Sequence, residues 1–159
     1  GVANQQSIGG FKKYLGFDNV CQLEARIFIS NPPPINNDLS EDSFFIDIND
    51  EFLDWRIKNP FNKYKVSKDK SNILVYINLF FQGVLQIKKS RNTSKFFGFR
   101  KLNLWIGKSN RISWNKKINF SIPNFLRPSP LFFIYKDLSS SEKIHKDKLH
   151  FELINFDAY

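Results

Sequence analysis

Cysteine, histidine and methionine are almost missing from this chain of 159 residues. It has one cysteine, Cys21, two histidines, His145 and His150, and no methionine. One cysteine excludes a disulfide within the chain and suits a reducing compartment. So few imidazole and thiolate groups leave no recognisable zinc site, and no cofactor signature is present. No apolar run reaches the about 18 residues that a spanning helix needs, and no signal-peptide pattern opens the chain. The Gly-rich dinucleotide turn, the P-loop, G-x-S-x-G and H-E-x-x-H are all missing. Cys21 with His145 or His150 would make a thiol and its base, but no local signature joins them. A lone cysteine among strand residues reads as a small core or interface residue. His145 lies in a Lys-containing loop and reads as solvated; His150 alternates with apolar residues and reads as the outer face of a strand. The chain is expected to be no enzyme. The lack of Met even at position 1 reads as processing from a longer chain, truncation, or a tag scar at Gly1.

Phenylalanine and positive charge are abundant. The 18 Phe residues supply large apolar area without a polar group to satisfy, which suits strands. Residues 1–55 hold nine acids and three bases, a net of −6, and residues 56–159 hold six acids and 21 bases, a net of +15; together these give +9. A basic body of this kind seeks a polyanion, nucleic acid or an anionic membrane. Lys greatly outnumbers Arg, however, and phosphate readers favour Arg. A solvated lysine surface is therefore an equal account of the charge.

Period-two alternation is the main structural signal, and it predicts half-buried strands. Leu23, Ala25, Ile27 and Ile29 form a first strand that Pro32-Pro33-Pro34 stops. The stretch from Ile73 to Pro123 holds several more. Leu85 and Ile87, then Leu104 and Ile106, then Ile118, Phe120 and Ile122, are expected in the core. Leu131, Phe133 and Tyr135 alternate with Phe132 and Ile134. A strand apolar on both faces is central, or it meets another subunit. Leu149, Phe151 and Leu153 form the last strand. Glu51 to Lys58 reads as a short helix with Phe52, Trp55 and Ile57 on one side, capped by Asn49 or Asp50. Asp47-Ile48-Asn49-Asp50 is similar to a calcium loop but lacks its Gly and distal Glu, so a solvated turn is expected. Residues 62–72 read as a basic loop. Gly83 and Gly98 interrupt strand patterns and are expected where the backbone needs φ > 0 or approaches closely.

Residues 1–22 show little period and read as an extended arm. Residues 23–159 read as one all-β domain, an antiparallel sandwich. The arm carries Phe11, Tyr14, Leu15 and Phe17, four large apolar groups with no evident home, and they are candidates for a subunit interface. Lys95, Arg100, Lys101, Lys116 and Lys117 are candidates for contact with RNA or another polyanion.

Phe80-Phe81-Gln82-Gly83-Val84-Leu85-Gln86-Ile87, then Asn92-Thr93-Ser94-Lys95-Phe96, Gly98 and Leu102-Asn103-Leu104-Trp105, resembles the capsid proteins of picorna-like viruses. Ile118-Asn119-Phe120-Ser121-Ile122-Pro123 resembles their later strand that ends in Pro. Gln82 stands where that pattern usually has a basic residue, Phe96 and Gly98 are one residue closer than typical, and a Pro expected near Gly107 is absent. The resemblance covers about a third of the chain. It implies an eight-stranded jelly roll and a structural role: a subunit that assembles with other jelly-roll capsid subunits into an icosahedral shell around positive-strand RNA. Assembly would occur in the host cytoplasm, the final location would be the virion, and genomic RNA would lie against the inner face. Two other classes remain open. Trp114-Asn115 followed by a strand and Pro123 is similar to the W-N-x-x-F region of C2 domains, which implies a membrane-binding β-sandwich. The basic, Phe-rich segment around Lys95 to Lys101 suits a single-stranded nucleic-acid binder that stacks bases on aromatics.

Overall fold

Alternation becomes strand at most of the places where it occurs. A computed structural model describes residues 1–29, 33, 43–45, 49–60, 64–69, 72–78, 82–87, 102–116, 118–139 and 143–156, with the backbone alone for 67–69, 72–78 and 82–87. In chain order these residues form β1 (Val2–Asn4), α1 (Ile8–Leu15), β2 (Asp18–Gln22), β3 (Glu24–Ile29), β4 (Phe44–Phe45), α2 (Asp50–Ile57), β5 (Tyr64–Asp69), β6 (Asn72–Asn78), β7 (Gln82–Ile87), β8 (Leu102–Ser109), β9 (Asn119–Ser121), β10 (Leu131–Tyr135) and β11 (Leu149–Glu152). The fold is mostly β, with two short α-helices and four single 3₁₀ turns among the described residues. The expected eight strands are exceeded: eleven are described, three in one sheet and eight in the other.

The small sheet runs β1-β10-β2, all antiparallel. Its central strand is the one with two apolar faces, as that pattern requires. The large sheet is built around β8. On one side β8 pairs along its whole length with β3, from Glu24↔Gly107 to Ile29↔Leu102, and β3 pairs in turn with β9. On the other side β8 is shared: residues 107–109 pair with β11, and Asn103 and Leu104 pair with β7. The meander β7-β6-β5 then extends the sheet. The sheet is not purely antiparallel, because β7 pairs with β8 and β4 with β11 in parallel.

The chain crosses between sheets at Leu23, the residue between β2 and β3. Leu23 is buried, and its N–H donates to the Leu131 carbonyl over 2.8 Å. Above it the two sheets meet through aromatics. Phe133 of the small sheet and Phe151 of the large sheet have ring centroids 4.6 Å apart, and Phe151 stacks on Phe156 at 5.3 Å. Leu23, Ala25, Leu53, Ile106, Leu149, Leu153 and Ile154 complete this core.

Several expectations change. The segment 1–22, read as an extended arm, carries β1, α1 and β2. Val2, Ala3 and Asn4 pair with β10, Gly1 exchanges backbone bonds with Ile134, and Ala3 is buried. Asn4 organises the turn before α1 by accepting from the Gln6 and Ser7 N–H groups, and Gly16 ends the helix at φ +66°, which a residue without Cβ adopts without strain. The basic loop at 62–72 contains β5, because Tyr64 and Val66 alternate with Lys65 and Ser67 and pair with β6. Helix α2 is capped by Asn49, which accepts from the Phe52 N–H over 2.7 Å. It buries Leu53 and Arg56 and leaves Trp55 exposed. Arg56 enters the core because its Nε and Nη2 both donate to the Ile154 carbonyl while its guanidinium lies over the Phe52 and Trp55 rings. Ile118 and Phe120, expected in the core, are exposed. Leu85, Ile87 and Gly98 lie outside the residues whose side chains are described. Gly83 lies inside β7, paired with Ile77 and Leu104.

Candidate interaction surface

The register of β9, β3 and β8 fixes three apolar rows on one face of the large sheet. Ile27 faces Leu104 on one side and Phe120 on the other, Ala25 faces Ile106, and Ile29 faces Leu102. Extending the register by one residue at each end of β9 sets Ile122 beside Ala25 and Ile118 beside Ile29; the first of these is joined by the Ile122 N–H to the Ala25 carbonyl at 2.8 Å. The row at Ala25 and Ile106 is covered by the small sheet and belongs to the core. The row at Ile118, Ile29 and Leu102 is not covered: all three are exposed, as is Phe120 of the middle row.

The segment after β9 continues this surface. Phe125 and Leu126 sit in the 3₁₀ turn Asn124–Leu126, and both are exposed. Beside them opens a cavity of about 120 Å³ lined by Leu23, Ala25, Leu104, Ile122, Leu126 and Pro128, with Arg127 at its rim. The Arg127 guanidinium is committed to backbone. Nε and Nη2 donate to the Ile122 carbonyl over 2.9 and 2.6 Å, and Nη1 donates to the Leu23 carbonyl over 2.8 Å. Arg127 thus pins the sheet-to-sheet crossing to the end of β9, and it leaves the cavity apolar.

The opposite face of β8 is closed. Trp114 packs edge-on against Trp105 and Phe28 at 5.1 and 5.9 Å, and Arg26 lies over its ring. Arg26 also donates to Glu24 and Asn119, while Lys108 donates to Glu24 over 2.7 Å. Burial raises the Glu24 carboxyl, but the bonds from Lys108 and Arg26 outweigh that and hold it below its ordinary value.

A buried polar cluster lies along the same closed face. Trp105 Nε1 donates to Glu152 Oε1 over 2.9 Å, His150 Nδ1 is 2.6 Å from Ser109 Oγ, and His150 Nε2 is 3.9 Å from Glu152 Oε2. Serine, imidazole and carboxylate in a row invite comparison with a catalytic triad. The chemistry does not follow. The third separation exceeds a hydrogen bond, and burial together with the nearby Arg111 pushes His150 down to about 4. An imidazole so reluctant to take a proton is a poor general base at neutral pH. The cluster instead satisfies buried polar groups between β8 and β11. Cys21, paired opposite Phe133 in the small sheet, has a thiol that burial pushes up, which makes it a weak nucleophile.

The candidate residues separate. Tyr14 and Leu15 are exposed at the end of α1; Phe11 and Phe17 pack on each other, edge-on at 5.5 Å, and are partly buried. Lys116 is exposed in the turn Trp114–Lys116. Lys95, Arg100, Lys101 and Lys117 lie outside the described residues. His145 is exposed, whereas His150 is largely buried. Sequence reasoning missed Phe125, Leu126 and the cavity beside them. Arg127-Pro128-Ser129-Pro130 reads as a rigid turn, and the apolar pair Phe125 and Leu126 just before it was the available signal. Among the described residues no three of His, Cys, Asp and Glu gather to hold a metal ion, and no helix is long and apolar enough to cross a membrane. No protein-family model, no curated protein and no solved structure matches this chain.

Proposed function

We propose that this chain is a structural subunit, a β domain that assembles with further jelly-roll subunits into an icosahedral shell around RNA and has no enzymatic activity of its own. The observation that carries this reading is the apolar surface formed by Ile29, Leu102, Ile118, Phe120, Phe125 and Leu126. Large exposed apolar surface on a soluble protein marks a site of contact with another molecule. Tyr14 and Leu15 add a second exposed apolar site, on α1. The strand order supports the same reading. β3 pairs with β8, β8 with β11, and β10 with both β1 and β2, so partners are distant in sequence, as in Greek-key folds, while the parallel pairs β7–β8 and β4–β11 depart from a purely antiparallel jelly roll. The basic second half of the chain supplies charge suited to RNA on one side of such a shell.

The test is expression of the whole reading frame that encodes this chain, followed by negative-stain micrographs of the purified product. Closed particles containing this chain are the expected outcome. Absence of particles, with the chain instead pelleting on anionic liposomes, would replace the shell reading with a membrane-binding module. Tight salt-dependent binding of single-stranded oligonucleotides without particles would replace it with a nucleic-acid binder.

A further inference from the structure

We propose that the bare end of the large sheet is a self-complementary surface on which a second copy of this chain docks, with Phe125 of each copy seated in the apolar cavity of the other. The inference names the partner of the surface on which the shell reading rests. Three observations argue for a copy of this chain.

The first is shape. Phe125 is 84 % exposed, and the cavity of about 120 Å³ opens beside its neighbour Leu126. Cavities of roughly 150 Å³ lined by aliphatic side chains stay dry and accept a benzene ring, so a Phe ring is the right class of occupant. Knob and hole on one patch are what a two-fold contact needs, because each surface must then answer itself.

The second is area. Ile118 is 68 % exposed, Phe120 and Leu126 are each 64 % exposed, and Ile29 and Leu102 are also exposed. With Phe125 these side chains present on the order of 800 Å² of surface, about what one partner brings to an interface of standard size.

The third is charge. The chain carries a net +9, so two copies repel unless they meet where charge is absent. The six side chains of the patch are uncharged. Of the described cations, Arg127 is bound to two backbone carbonyls and Arg26 to Glu24 and Asn119 on the opposite face, while Lys116 is exposed two residues before Ile118. An identical apolar patch buries no unpaired charge.

Sedimentation equilibrium from about 1 to several hundred micromolar decides it. The wild-type chain is expected to reach twice its 18.7 kDa mass. Phe125→Ser removes the knob, and Ser129→Trp blocks the hole from its exposed rim. Each is expected to weaken dimerisation at least about tenfold, with an unchanged circular dichroism spectrum and melting temperature. An equimolar mixture of the two variants restores one knob in one hole, and should associate more tightly than either variant alone. That rescue has no counterpart if either variant simply misfolds. A wild-type monomer at the highest concentration overturns the proposal, as does a dimer indifferent to both variants. Phe125-dependent binding to liposomes by a chain that stays monomeric also overturns it, by giving the patch to lipid. The shell reading fails separately: a dimer that never forms particles leaves this inference standing, and particles built from a chain monomeric on its own leave only the shell.

Discussion

Gly107 shows how much one residue can decide. Its backbone pairs with Glu24 of β3 on one side and with Glu152 of β11 on the other. A Cβ there would lie 2.4 Å from the Phe151 carbonyl oxygen and 2.8 Å from the Trp105 ring. The first neighbour is backbone inside a sheet and cannot move away. Gly107→Ala is therefore expected to lower stability by about 2–3 kcal/mol through overpacking, read as a lower denaturant midpoint with unchanged slope; a wild-type midpoint would show that β11 can shift. His150 makes a second residue-scale prediction. Its ordinary value of 6.5 falls to about 4 in the folded chain, because burial and Arg111 disfavour the imidazolium. The unfolded chain takes up this proton first, so stability is lost as pH falls from about 6.5 towards 4. The loss is roughly 3 kcal/mol at about 1.4 kcal/mol per pH unit. His150→Gln should flatten the stability profile within that window. A variant with the wild-type slope there would assign the acid sensitivity to other groups. Nothing local marked this histidine, since its partners Ser109 and Arg111 are about forty residues away in the chain.

At the scale of elements, the first 22 residues carry the clearest difference between expectation and structure. They read as an arm because Gly9 and Gly10 weaken the helix signal and because three-residue strands leave almost no period. Their order comes from β10, which offers both of its edges. A free arm would exchange its amides at once and gain protection only on assembly. The amides of β1 and β2 that bond to β10 are instead expected to stay protected in dilute isolated protein, together with Leu131 to Tyr135. Hydrogen-exchange mass spectrometry checks this, and full exchange of residues 1–22 within the dead time would restore the arm. Alternation located β3, β8, β10 and β11 well, since the pleat alone dictates a period of two. It placed β9 as a strand too, but gave it the wrong surroundings. It missed β5, where Lys65 and Lys68 made a strand resemble a loop.

For the whole molecule, a wide sheet is covered by a narrow one. Local pattern can say that Ile118, Phe120 and Ile122 share a face. It cannot say where the covering layer stops, because that depends on how β1, β10 and β2, drawn from both ends of the chain, come together. The apolar rows were thus legible, and their division into core at Ala25 and Ile106 and bare surface at Ile118 and Leu102 was not. By itself the sequence determined that this is a mostly β chain with a large apolar content, a strongly basic stretch from residue 56 onwards, one cysteine and two histidines. Those properties follow from side-chain type and nearest-neighbour geometry. Only the tertiary structure decided that Arg127 locks a sheet crossing, that His150 is buried against Ser109, and that Leu126 lines an apolar cavity with Leu23 and Leu104. Each of these is a contact between segments distant in sequence, and its free energy depends on burial that no local window contains.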